Sequence, residues 1–292
     1  MPPMIASDQD ILARLGHSGA PRLGAGSEAQ VYALGEDRVA RIMRPGARLV
    51  EAEARAALLR EIAANARRLP FRTPAVESVH EMDGRVLAIE ARLPGEPVSH
   101  LLTLCKGEDR EKLLADYLDS AATISTIAVA RPAFGPLLGG ESLRAPRWEG
   151  FVQARSRDSL ATCPPDLRAA VALAAETMLP EPERPALVHL DYFPGNVLAR
   201  HNRVTAVLDF GPSAVIGDAR MEAWSAVAYL DPEISPAATD ADRAQAMAWL
   251  AQHNLISDYM PAKRWLAAAW SFAHDDAALM AWCRRILLTD AA

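Results

Sequence analysis

Cysteine is scarce in this sequence: Cys105, Cys163 and Cys283 are the only three in 292 residues, and no two form a C-x-x-C pair. An odd, widely spread set argues against a disulfide framework or a cysteine zinc site, and fits reduced, buried thiols in a cytoplasm. No apolar run reaches about 18 residues, so no membrane span is legible. The first ten residues lack a basic segment followed by an apolar one, so no secretory signal is expected. Positive charge is not in excess either, since 31 Lys and Arg face 37 Asp and Glu for a net charge of −6. That balance argues against a nucleic-acid partner, whose protein footprint is basic. Lysine itself is nearly missing, with Lys106, Lys112 and Lys263 the only three. Arginine must therefore supply any strong cation in the first 105 residues.

What is present is an ordinary globular composition, 50% apolar and 23% charged, with ample length to bury a core in one or two domains. A short helix is expected over Asp8–Leu15, with Ser7 or Asp8 as its cap. Strand patterning then brackets the glycine turn Gly24-Ala-Gly-Ser27 and continues through Arg38–Met43. Leu49–Leu69 is rich in Ala, Leu, Glu and Arg and predicts a helix stopped by Pro70 and Pro74. Asp83-Gly84 between two strand-like pieces, Ala75–His80 and Arg85–Ala91, predicts a hairpin. The stretch Leu93-Pro-Gly-Glu-Pro97 marks a boundary, which divides the chain into 1–93 and 94–292. Beyond it, helical spacing runs over Arg110–Val129, Asp166–Met178, Met221–Leu230, Ala241–His253 and Pro261–Leu288. One β island interrupts the helices, made of Ala186–His189, Asn196–Ala199 and Val204–Asp209.

That island carries the chemistry. Val188-His-Leu-Asp-Tyr-Phe-Pro-Gly-Asn196 reads H-x-D-x-x-x-x-N, and Asp209-Phe-Gly211 follows thirteen residues after the Asn. Phosphoryl transfer calls for a carboxylate beside the attacking hydroxyl and for oxygen ligands on the metal that neutralises the polyphosphate. Asp191 is thereby expected to be the catalytic base, and Asn196 and Asp209 the Mg²⁺ ligands. Gly24, Gly26 and Ser27 fit a phosphate loop whose backbone N–H groups approach ATP or GTP closely. Arg41, flanked by apolar residues on its strand, is the expected cation for the phosphates, and Glu61 on the following helix its expected partner, with Glu51 and Glu53 as competitors.

On these motifs the chain resembles the aminoglycoside phosphotransferase and choline kinase group, small-molecule relatives of the protein kinases. The resemblance runs from Leu23 to about Leu230. It rests on the catalytic loop Val188–Leu198, on Asp209–Glu222 with Gly217-Asp218, and on Leu58-Leu-Arg-Glu61 and Leu93–Pro97. It implies an α+β, bilobal protein-kinase-like fold. The small lobe would be an antiparallel sheet with one helix, and the larger lobe mostly helical. It also implies Mg²⁺-assisted phosphorylation, from ATP or GTP, of a hydroxyl on a small molecule, foremost an antibiotic such as an aminoglycoside. The alternatives are a metabolic kinase for choline, an amino acid or a sugar, and a pseudokinase that only binds nucleotide. An acceptor pocket beside the C-terminal helices would draw on Asp231, Glu233, Trp270, Asp275 and Asp276, an acidic set suited to a cationic acceptor. The chain departs from the group at Arg41, where Lys is usual, at Leu190 and Ala29, where small residues or glycine are, and at Glu222, where Asp is. The segment after Asp209-Phe-Gly211 is too short for the activation segment of a protein kinase, which favours a small acceptor.

Overall fold

The structure is a computed structural model, and it describes residues 6–26, 28–177 and 179–289. The described chain forms two compact units. One runs to Arg68 and resumes over Arg72–Pro94; the other takes Leu69–Phe71 and everything from Gly95 onward.

The first unit opens with α1 (Asp8–Arg14), and Ser7 and Asp10 cap it reciprocally in a capping box. Five antiparallel strands follow: β1 (Arg22–Ala25), β2 (Ala29–Ala33), β3 (Arg38–Met43), β4 (Val76–Met82) and β5 (Arg85–Ala91), in the order β1-β2-β3-β5-β4. Between β3 and β4 lies α2 (Leu49–Asn65). The unit therefore holds two helices, the short α1 joining the one expected beside the sheet. Strand alternation sorts the side chains. Ala40, Ile42, Leu87 and Ile89 share one buried cluster with Ile11 and Leu12 of α1. Arg41 and Glu90, one residue out of phase, take the other face, where Glu90 pairs with Arg55 of α2 at 3.2 Å. The hairpin turn uses Asp83 and Gly84, both at positive φ, as a tight β4–β5 connection requires.

The second unit is mostly helical. It begins with β6 (Glu96–Pro97), α3 (Val98–Leu104) and α4 (Gly107–Thr123), and continues through β7 (Gly135–Pro136), α5 (Trp148–Thr162) and α6 (Arg168–Ala175). Then come β8 (Ala186–Val188), β9 (Val197–Arg200), β10 (Arg203–Val207) and β11 (Val215–Gly217). Four helices close the chain: α7 (Arg220–Ala228), α8 (Asp240–Gln252), α9 (Tyr259–Trp270) and α10 (Ala277–Leu288). The β island is not one sheet. β9 pairs with β10 and β6, whereas β8 pairs with β11, which in turn pairs with β7. Gly95, in the middle of the boundary segment, sits at φ +123°, and a Cβ there would fall 2.5 Å from Thr205 Oγ1, so glycine is required where β6 meets β9.

Three sequence expectations change. The stretch 261–288 is two helices, because residues 271–276 turn and Asp276 caps α10 through its bond to the Leu279 N–H. The helix expected from Arg110 runs instead over Gly107–Thr123, followed by a short 3₁₀ turn at Ile124–Thr126. α5 escapes the hydrophobic pattern altogether. Its buried positions, 148, 151, 152, 156 and 159, follow a helical stripe, but two of them are serines that bond back to Val152 and Arg155 carbonyls. The helix α7 is buried along almost its whole length and packs against α4, α8 and α9, which is why its sequence is mostly apolar, with Glu222 and Ser225 as buried polar residues.

Within the first unit, Arg85 carries the heaviest polar load. Its buried guanidinium donates to Asp8 Oδ1 at 2.7 Å, to the Met43 carbonyl at 2.8 Å and to the Ala6 carbonyl at 2.9 Å. Removing one member of a buried ion pair typically costs about 3–5 kcal/mol, since the partner keeps its charge and loses its solvation. Arg85→Ala is expected to lower the unfolding free energy by about that amount, read as a fall in the urea midpoint at unchanged slope.

Candidate functional site

The loop between β8 and β9 is held from below. Glu222, at the start of α7 and fully buried, accepts the backbone N–H groups of both His189 and Leu190 on one oxygen, Oε2. Among the described residues its Oε1 has no hydrogen-bond partner. Leu190 sits at φ +59°, a conformation L-residues rarely adopt. The strain explains why a small residue suits that position, and the Glu222 bond lies where the backbone turns. Leu190 is thus tolerated by being anchored, not by being small.

His189 ties this loop to the next. Its Nδ1 accepts the Asp191 N–H at 3.1 Å, so Nε2 carries the proton and donates to the Leu208 carbonyl at 2.7 Å. Burial pushes the imidazole down to about 4, against a weaker upward pull from that carbonyl and from Asp209. A neutral, fixed tautomer is what both bonds need. The His189 ring also meets Phe210 edge-on at 4.4 Å. The residue is therefore a brace between residues 189–191 and 208–210.

Asp191 and Asn196 face each other across the loop. The Asn196 amide donates to Asp191 Oδ2 at 3.1 Å and to the Asp191 carbonyl at 3.0 Å. With its nitrogen so committed, the Asn196 Oδ1 accepts no bond from the described residues. On its other side Asp191 Oδ1 lies 3.3 Å from the Tyr229 hydroxyl. Burial, and next the Asp191 charge, raise the Tyr229 phenol well above its ordinary value, so that hydroxyl keeps its proton. Asp209 follows β10 at φ +59°, a left-handed conformation that Asp tolerates better than most residues. The Leu208 N–H donates to the Asn196 carbonyl at 2.7 Å, which sets the two loops side by side. An amide oxygen and a carboxylate make a hard-oxygen pair suited to Mg²⁺, which usually takes one or two protein ligands and completes its shell with water and phosphate.

In the first unit, Gly24 lies on β1 and Gly26 just beyond it; Ser27 lies outside the described residues. Neither glycine has a positive φ, and a Cβ would meet nothing within 4 Å at Gly24 and only the Ala29 carbonyl, at 3.9 Å, at Gly26. The fold itself thus makes no demand for glycine at either position. Arg41 on β3 has its Nη2 3.9 Å from Glu28 at the end of that turn, and Glu61 lies on α2. A buried helix-to-strand ion pair of this unit joins Arg55 to Glu90, a pair that sequence reading missed because Arg on a helix ordinarily reads as solvated.

The expected acceptor residues divide. Asp231 is buried and bonded to the Trp282 indole and to Arg285. Glu233 is half-buried and accepts from Arg285 Nε at 2.8 Å. Trp270 is buried and stacks on Tyr229 at 4.7 Å. Asp275 is exposed in the turn before α10, and Asp276 is spent as that helix's cap. Sequence reading gives no signal for Tyr229, since a lone tyrosine at the end of a mostly apolar helix says nothing of a contact with Asp191.

The second unit thus brings Asp191, paired with Asn196, and Asp209 onto adjoining loops of an α+β chain. The comparisons with known proteins specify the class. Residues 19–253 match the model of the phosphotransferase enzyme family called APH, and the chain belongs to that family. None of the curated proteins compared with the chain matches it. Solved structures share its fold. A thermostable mutant of aminoglycoside phosphotransferase APH(4)-Ia is 20% identical with a TM-score of 0.70, over 98% of this chain and 100% of that one. The streptomycin–ATP ternary complex of APH(2")-IIa is 15% identical with a TM-score of 0.64, over 98% of each. Macrolide 2'-phosphotransferase MphH from Brachybacterium faecium is 19% identical with a TM-score of 0.55, over 96% of this chain and 97% of that one.

The anchor below the loop has a pH signature. Burial raises the Glu222 carboxyl to about 8, against the lowering pull of the two N–H groups, and the Asp191 charge raises it further. Between about 4.5 and about 8 the folded state then holds a proton that the unfolded chain has released, so stability falls as pH rises. His189 works in the opposite sense between about 4 and about 6.5, where the unfolded chain holds the proton instead. The two slopes cancel up to about 6.5, and only the decline remains above it. Thermal melts of Glu222→Gln are expected to lose the wild-type fall in Tm between about pH 6.5 and 8.

Proposed function

We propose that the chain is a Mg²⁺-assisted O-phosphotransferase that moves a nucleoside triphosphate's terminal phosphoryl group to a hydroxyl of a small molecule. The observation that carries the reading is the Asp191–Asn196 pair. One carboxylate oxygen is held by the Asn196 amide while the other is turned to the opposite side, toward Tyr229. Asp191 would accept the proton of the acceptor hydroxyl as its oxygen attacks phosphorus. The terminal phosphoryl group leaves the nucleotide, which departs as the diphosphate. Asn196 and Asp209 would hold the metal, which supplies charge neutralisation for the polyphosphate. Arg41 and the Gly24–Gly26 turn are the phosphate-binding groups of the reading. The open space at Gly24 supports close approach of the backbone there to an anion.

Complexes of similar proteins with AMP-PNP, ATP, ADP and GDP support a purine nucleotide as donor, with ATP and GTP both in the reading. On the acceptor side the similar structures hold hygromycin B, streptomycin, gentamicin and kanamycin, and a macrolide phosphotransferase stands among them. They support an antibiotic-type acceptor ahead of choline, an amino acid or a sugar. The complete set Asp191, Asn196 and Asp209 favours an enzyme over a nucleotide-binding module.

Two variants test the reading separately. Asp191→Asn keeps shape and hydrogen bonding but removes the proton acceptor. General-base help is worth about 10²–10⁴-fold, so kcat is expected to fall by that order while Mg-ATP affinity stays near wild type by calorimetry. Turnover at the wild-type rate would leave Asp191 without the assigned role. Asp209→Ala is expected to keep the fold and to abolish the gain in ATP affinity that Mg²⁺ brings. Equal Mg-ATP affinity in variant and wild type would remove Asp209 from the metal site.

A further inference from the structure

Asp191 is gripped on both carboxylate oxygens. Oδ2 accepts the Asn196 amide at 3.1 Å, and Oδ1 lies 3.3 Å from the Tyr229 hydroxyl. Asn196 is also assigned to the metal, so its grip on the base belongs to the phosphate side of the reaction. Tyr229 has no such second duty. It follows the last residue of α7 and is only 6% exposed.

The ring of this tyrosine is firmly placed. It stacks on Trp270 of α9 at 4.7 Å and 27°, and meets Phe193 edge-on at 5.7 Å. The backbone is tied as well, since the Tyr229 N–H donates to the Ser225 carbonyl at 2.9 Å and the Tyr229 carbonyl accepts the Ser235 hydroxyl at 2.6 Å. The hydroxyl, by contrast, makes no short bond: Asp191 Oδ1 is 3.3 Å away and the Leu190 carbonyl 3.4 Å. A strong O–H···O⁻ bond measures about 2.5–2.7 Å. A tyrosine buried for packing alone would settle its O–H on one good acceptor. Here one proton is shared between the carbonyl and the carboxylate of consecutive residues. Burial, and next the Asp191 charge, keep the phenol protonated, so it remains a donor.

In the transfer, the acceptor's O–H bond breaks and its proton passes to Asp191. The freed electron pair forms the bond to phosphorus as the bond to the leaving diphosphate breaks. Asp191 must therefore present a lone pair in a fixed direction, yet the last torsion of an aspartate is intrinsically broad. One donor on one oxygen leaves the carboxylate plane free to swing; a second donor on the other oxygen stops it. A long, shared bond does this while removing little of the basicity that a short one would take away.

Resting on the phosphotransferase reading above, we infer that Tyr229 is a positioning residue: its hydroxyl, carried on a ring locked against Trp270 and Phe193, fixes the plane of the Asp191 carboxylate through the oxygen that Asn196 does not hold.

The test follows nucleotide consumption with hygromycin B, kanamycin, a macrolide, choline, serine and glucose, and compares variants of the full chain on the acceptor used fastest. Tyr229→Phe keeps the ring and both of its aromatic contacts. Its kcat is expected to fall roughly tenfold or more, since misplacement by about 1 Å can cost about 10²-fold. Mg-ATP affinity by calorimetry is expected to stay at the wild-type value, which also reports a folded variant. The decisive readout is the double-mutant cycle. Added to Asp191→Asn, where the base is already gone, Tyr229→Phe is expected to cost less than about twofold. A hydroxyl that only stabilises the fold would cost the same factor in both backgrounds. Should Tyr229→Phe not fold, Trp270→Phe loosens the stack, keeps the hydroxyl and is read in the same cycle, with a smaller loss confined to the Asp191 background expected. No loss of kcat in the folded variant, or an equal loss in both backgrounds, overturns the inference and leaves the phosphotransferase reading standing. Absence of turnover by the wild type with every acceptor, despite tight Mg-ATP binding, overturns the phosphotransferase reading and the inference with it.

Discussion

Two buried backbone N–H groups, those of His189 and Leu190, need an acceptor, and a single carboxyl oxygen of Glu222 serves both. Much of the site depends on that arrangement. It holds Leu190 in a left-handed conformation, and the reversal at Leu190 leads the chain into Asp191. Asp191 in turn is fixed on one oxygen by Asn196 and lies against Tyr229 on the other. The neutral His189 carries the constraint across to Leu208, one residue before Asp209. A buried acid and a buried imidazole, each held in its uncharged form by desolvation, therefore set the geometry of the loop groups to which the proposed function assigns the chemistry.

Elsewhere the chain solves buried polarity with arginine. With lysine confined to three positions, guanidinium donors recur at Arg85, Arg55, Arg110 and Arg285, each on a carboxylate and two of them, Arg85 and Arg110, on carbonyls as well. A guanidinium fork satisfies several acceptors at fixed angles, which a lone ammonium cannot do. Arg110 joins α4 to α8 through Asp242, the residue that also closes the capping box of α8. Electrostatic pairing here is tertiary structure as much as surface decoration.

The strands and long helices of the first unit were legible because alternation, the Asp83-Gly84 turn and the alanine-rich run Leu49–Leu69 each carry a local signal. The loop motif was legible because its residue types and spacing are set by chemistry, not packing. Most of what stayed hidden depended on a partner far along the chain, the serines of α5 being a local exception. The serines of α5 disguise a buried stripe, since their hydroxyls are silenced only by the helix's own carbonyls. The carboxylates Asp231 and Glu233 read as available charge, because Arg285 lies more than fifty residues later. Tyr229 gives no hint of Asp191, 38 residues before it. Asp276 illustrates the reverse case, where a residue offered to a ligand proves to be spent on a cap three residues away.

The central claim is that this loop transfers phosphoryl groups to a hydroxyl, and phosphorus-31 spectroscopy of the products tests it most directly. Wild-type chain, Mg-ATP and a mixture of small hydroxyl compounds, aminoglycosides and macrolides among them, are incubated together, and the terminal phosphoryl group is followed. The account predicts a new phosphate-monoester resonance that grows as the terminal-phosphate signal of ATP declines, in equal amounts. A terminal-phosphate signal that stays constant, or that is converted to inorganic phosphate alone, would contradict it.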